Sequence, residues 1–130
     1  MWVRALRNPS LTPAPLQDFR EILRWTTTQF GTAAAARYKA LIKQAIRDIG
    51  ADRERPGSQT RSEVIVTGAR TYHLSFSRNR VPGLSVKAPR HFLLYRQLEN
   101  GELQVARILH DSRDFDRHIP ADYRTDDSTD

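Results

Sequence analysis

Two kinds of hydrophobic pattern divide the chain, helical through its first half and strand-like through its second. After Thr12, the residues Leu16, Phe19, Leu23, Thr26 and Phe30 recur at the spacing of one helix face. Thr12 stands where an N-cap belongs, Pro13 occupies the first helical position, and Gly31 closes the segment. A second helix is predicted from about Thr32 to Ile49, with Ala35, Tyr38, Leu41, Ile42, Ala45, Ile46 and Ile49 on one side. A link as short as Gly31 makes the pair an antiparallel helical hairpin, and its apolar stripe belongs to a core.

Beyond the hairpin the period changes. ADRERPGSQT, with its charges, Pro56 and Gly57, reads as a loop; Glu63 to Thr67 and Arg70 to Ser77 read as one or two strands. RNRVPGLSVKAPR is a second loop. From Arg90 to His110 two apolar runs flank Asn100-Gly101, the strongest short-range signal for a two-residue type I′ turn. Such a turn pairs Leu98 with Leu103, Arg96 with Val105, Leu94 with Arg107 and Phe92 with Leu109. One face then carries Phe92, Leu94, Arg96, Leu98, Leu103, Val105, Arg107 and Leu109. The other carries His91, Leu93, Tyr95, Gln97, Gln104, Ala106, Ile108 and His110. Neither face is purely polar, so the ribbon belongs mid-sheet, covered on one side and bearing a few polar groups on the other. Trp2 to Leu6 is a further short strand. The sum is an α+β domain, an N-terminal helical hairpin packed on a small antiparallel sheet, with a short C-terminal helix or tail.

Composition narrows this picture. With 130 residues, 38% of them hydrophobic, the chain suffices for one domain with a modest core, expected over residues 1–120, with 121–130 a mobile, polar, acidic tail. No cysteine is present, no stretch is long enough to span a bilayer, and the N-terminus lacks an apolar leader, so a cytoplasmic location is expected. From Asp111 onward seven acidic residues face three arginines, whereas residues 1–110 carry 18 basic residues against eight acidic. A basic body suits a polyanionic or acidic partner, and arginine suits bidentate contact with phosphate or carboxylate.

Several groups are candidates for contact or chemistry. Arg96 and Arg107 lie diagonally on one ribbon face, close enough to grip one anionic group, unless local acids take them first. The loop cations Arg78, Arg80, Lys87 and Arg90 can meet an acidic surface or DNA, and equally can serve only solubility. His91 and His110 fall opposite each other. His110, Asp114 and His118 would align at helical spacing, but that is too few supported ligands for a metal site, and His110 fits better as a residue that fixes the chain's exit from its strand. No phosphate cradle, HExxH pair or GxSxG elbow occurs, and no metal or cofactor is expected.

Over residues from about Trp2 to Pro120, the segments TPAPLQDFREI, FG followed by AAAARYKALIKQAI, ERPGSQTR, PRHFLLYR and ARILHDSRDFDRHI resemble the RelE/ParE superfamily of type II toxin-antitoxin toxins. RILHD followed by an Asp and His-Ile-Pro is the most specific part, and it looks like the ParE branch. The resemblance implies a plasmid-stabilising toxin that poisons DNA gyrase and is neutralised by a ParD-like antitoxin, expected to be a ribbon-helix-helix protein with an acidic C-terminal segment. Arg96, Arg107, Arg113 and the loop cations then become candidate partner contacts, and no residue need be catalytic. The alternatives are a RelE-type ribosome-dependent mRNA endonuclease and a non-toxic basic interaction module. A nuclease needs cations for the phosphate and groups that transfer protons, here Arg107, His110, Arg113 and His118. In that branch an arginine commonly precedes the Leu-x-Tyr of the strand, whereas here Phe92 precedes Leu93-Leu94-Tyr95.

Overall fold

Proline and glycine set the helical boundaries. The computed structural model describes residues 9–61, 64–83, 86–112 and 115–125, with Asp116 by its backbone only. Helix α1 spans Pro13–Phe30 and α2 spans Thr32–Ala51. Thr12 has extended N-cap geometry but its hydroxyl makes no cap bond, so Pro13, with φ preset and no N–H to satisfy, fixes the start. Gly31 alone joins the helices at φ 94, accepting from Ala35 N–H while its own N–H closes α1 on the Thr27 carbonyl.

Five strands form one sheet in the order β1-β5-β4-β3-β2: β1 Ser10–Leu11, β2 Ser58–Gln59, β3 Ala69–His73, β4 His91–Gln97 and β5 Leu103–His110. The sheet is mixed rather than wholly antiparallel, because β1 runs parallel to β5, pairing Ser10 with Gln104 and Leu11 with Val105. The strand expected at Trp2 to Leu6 lies outside the described residues. Of the strand expected from Glu63 to Thr67, only an isolated bridge from Ile65 to Arg124 forms. The strand expected to reach Ser77 ends at His73 and tightens into a 3₁₀ turn, Leu74–Ser77, where the His73 ring accepts from Ser75 N–H.

The ribbon keeps half of its expected register. Phe92 faces Leu109 and Leu94 faces Arg107, but Tyr95 faces Val105 and Arg96 faces Gln104, because Ala106 bulges out of the ladder. Gly101 alone has positive φ in the turn, and Gly101 N–H bonds the Leu98 carbonyl, so a Leu98–Gly101 turn with a bulged glycine replaces type I′. The bulge exchanges faces: Leu103 and Val105 turn toward the helices, while Gln104 and Ala106 turn away.

Both faces of the sheet are covered, not one. Tyr38, Leu41, Ile42, Ala45 and Ile49 of α2 and Ile22 of α1 pack on Tyr72, Leu93, Tyr95, Val105 and Ile108. On the reverse face Ile65, Ala69, Leu94 and Ala106 lie under Ile119 and Tyr123. The domain therefore runs past residue 120. Tyr123 is fully buried, and backbone bonds from Val66 N–H to the Tyr123 carbonyl and from Thr125 N–H to the Val64 carbonyl stitch residues 123–125 to the body. The α1 stripe is also partly rotated from its expected position. Phe19 and Thr26 keep their expected inward places, but Pro15, Asp18 and Ile22 join them while Leu16 and Phe30 face solvent. That buried face includes a carboxylate, Asp18.

Candidate functional site

Beyond its two paired residues β1 leaves the edge of β5 to α1. Asp18 closes that gap. Its carboxylate accepts from Ile108 N–H at 2.9 Å and from both prongs of the Arg107 guanidinium, Nε at 2.7 Å and Nη2 at 2.9 Å. The hydrogen bonds to Asp18 make Arg107 still more basic than usual. On the reverse face Arg96 donates to the Asp122 carboxylate at 2.8 Å and its carbonyl at 3.0 Å, with its guanidinium 4.2 Å above the Tyr123 ring. The two arginines expected to share one anion thus each hold a different acid of this chain.

A second buried carboxylate organises the far end of the hairpin. Asp48 on α2 accepts from Ser77 Oγ at 2.6 Å, Arg80 Nε at 2.9 Å and Gln44 Nε2 at 2.8 Å, with Arg55 at 3.7 Å. Arg78 donates to the Lys87 carbonyl, which ties the loop's ends together. Arg90 grips Asp111 at 2.8 Å and His73 Nε2 lies 2.9 Å from the same carboxylate. Burial pushes Asp111 up, but those two bonds outweigh it and hold the carboxyl below its ordinary range.

The histidines meet beside α1. Arg90 N–H donates to Tyr38 Oη at 3.0 Å, so the single hydroxyl proton of Tyr38 is available for His91 Nδ1, 2.6 Å away. Burial pushes the Tyr38 phenol up to about 12, which keeps it a donor. His91 faces His110 as expected, their ring centres 5.0 Å apart and edge-on. His110 Nδ1 accepts from Ser112 N–H at 3.0 Å, which fixes the strand exit as expected. A cleft of about 500 Å³ opens here, lined by Glu21, Trp25, His91, Arg107, His110 and Ser112 among others.

Of the four residues a nuclease would need, the cleft holds Arg107 and His110. His118 lies in a 3₁₀ turn, Phe115–His118, where its carbonyl accepts from Arg107 at 3.5 Å; Arg113 and Asp114 lie outside the described residues. Phe92 packs against Phe115 at 5.5 Å between ring centres, an apolar contact. Asp18 and Asp48 were missed because their shortest arginine contacts come from 89 and 32 residues away, although Arg55, only seven positions on, also reaches Asp48. An acid inside an otherwise apolar helical stripe was the available clue.

The arrangement uses its charges to fix shape. The family model for the ParE toxin of type II toxin-antitoxin systems, parDE, matches residues 10–115. No curated protein matches the chain. With that match spanning both helices and all five strands, the chain belongs to the ParE toxin family of type II toxin-antitoxin systems.

Proposed function

We propose that this toxin acts by binding DNA gyrase and holding its cleaved-DNA intermediate, so that the damage comes from the target's own chemistry, and that a ParD-like antitoxin neutralises it. The family match carries the reading, and the parDE pairing in the family's description supports the antitoxin. The site supports binding over catalysis. Arg107 is matched by Asp18, His110 Nδ1 is occupied by Ser112, and the Tyr123 phenol is buried and pushed up to about 12. The exposed loop cations Arg78 and Lys87 are proposed as contacts for an acidic antitoxin segment, joined by Arg90 where Asp111 releases it. Arg96 and Arg107 join them only by releasing Asp122 and Asp18.

One paired assay tests this. Purified protein is incubated with gyrase and plasmid, and separately with translating ribosomes. Lost supercoiling with accumulated cleaved DNA is expected. Codon-positioned mRNA cuts with gyrase unaffected would sink the proposal and establish the endonuclease alternative.

A further inference from the structure

We infer that the outer face of the helical hairpin is a surface for the phosphate backbone of duplex DNA. The described acids are unequally spent. Asp18, Asp48, Asp111 and Asp122 hold Arg107, Arg55, Arg80, Arg90 and Arg96, all from the sheet, its loops or the segment after α2. Among the described residues six helix cations are left without an acid, more than the exposed loop cations Arg61, Arg78 and Lys87 that share that state.

Arg20 and Arg24 on α1, and Arg37, Lys39, Lys43 and Arg47 on α2, are all exposed. Among the described residues none of the six has an ion-pair partner; Arg47 donates only to Gln44. Glu21, bonded to Gln17, is the one exposed acid on the two helices, since Asp18 and Asp48 are buried. Both helices pack on the same sheet face, so their solvent sides are turned outward together, with Arg37 on the opposite flank of α2 from Lys39, about 160° away around the helix. Lys39, Lys43 and Arg47 stand one helical turn apart, a row about 12 Å long at 1.5 Å per residue. That row is rigid, because Tyr38, Leu41, Ile42, Ala45 and Ile49 seat the opposite side of α2 in the core.

Composition chooses the occupant. An interface for an acidic protein needs a core poor in charge and rich in apolar groups, whereas DNA-binding surfaces are strongly cationic and polar. Single-stranded RNA needs aromatic platforms among the cations. Here the exposed aromatics, Trp25 and Phe30, pack on each other at 5.7 Å near the hairpin link rather than between the cations. Phosphate contacts of this kind position a protein without reading sequence.

The test uses the full chain, a short labelled duplex of mixed sequence, and fluorescence anisotropy over a range of salt. Five or six phosphate contacts predict a log–log slope of about −5, roughly a thousandfold weakening between 50 and 200 mM salt. The Lys39→Gln/Lys43→Gln/Arg47→Gln variant, altered only at exposed positions, should lower that slope by roughly three, while Arg53→Gln leaves it unchanged. The inference is overturned if no duplex binds at 50 mM salt, if the triple variant keeps the full slope, or if polyglutamate or single-stranded RNA binds better. No gyrase is present, so this result and the gyrase assay succeed or fail independently.

Discussion

Replacing Asp18 with alanine removes one carboxylate and orphans two groups, the Arg107 guanidinium and the Ile108 N–H. Breaking a buried ion pair from one side costs about 3–5 kcal/mol. The Arg107 side chain is 25% exposed, so water recovers part of its charge and the lower figure, about 3 kcal/mol, applies. The unpaired Ile108 N–H adds about 1 kcal/mol. Against a typical domain stability of about 5–15 kcal/mol the variant still folds, with Tm lower by about 10 °C or more. Urea denaturation followed by circular dichroism, on wild type, Asp18→Ala, Arg107→Met and the double variant, measures the loss as a cycle. Because Arg107→Met removes the charge and keeps the apolar stem, the double variant should recover about 2 kcal/mol relative to additivity. A cost under about 1 kcal/mol for Asp18→Ala, or additivity within about 0.5 kcal/mol, refutes the view that Asp18 staples α1 to the edge of β5. The same cycle decides how to read any loss of antitoxin affinity in an Arg107 variant: it acts through the fold if Arg107→Met destabilises in proportion.

Tyr123→Ala should destabilise by about 3–5 kcal/mol because it empties the cluster on the reverse face, whereas Tyr123→Phe loses only the bond to Gln104 and costs about 1 kcal/mol, both readable by urea denaturation. Gly57→Ala places a Cβ 2.5 Å from the Phe76 ring at φ +101, and should lower stability by about 2 kcal/mol by the same measure. Asp111 has its carboxyl pKa depressed in the fold, so its contribution is present above its unfolded value near 3.8 and is lost as pH falls through the folded one. The stability difference between wild type and Asp111→Asn should therefore be constant near neutrality and shrink below that range; a pH-independent difference contradicts the Arg90 and His73 contacts.

The helices were legible because their signals are local. Pro13 and Gly31 act through their own φ angles, and the stripe on α2 from Ala35 to Ile49 faces a single core, so pattern and burial coincide there. On α1 the pattern was right at Phe19 and Thr26 but missed that Asp18 and Ile22 share the buried face while Leu16 and Phe30 lie outside it. Hairpin existence and the outer register, Phe92 with Leu109 and Leu94 with Arg107, also followed from the sequence. The bulge at Ala106 did not, although it decides that Val105 joins the helix side and Gln104 the Tyr123 side.

Charge shows the same division. The sequence by itself determined the basic excess, the arginine bias and the acidic final segment. Only the tertiary structure decided which arginines are spent, because an ion pair depends on distance in space and the pairs here join residues as far as 89 positions apart. Arg96 and Arg107, which the sequence left open between gripping a partner's anion and pairing with local acids, are held by Asp122 and Asp18. Arg20, Arg24, Lys39 and Lys43, which look like ordinary solvated helix positions, stay exposed, and among the described residues no acid folds back to meet them.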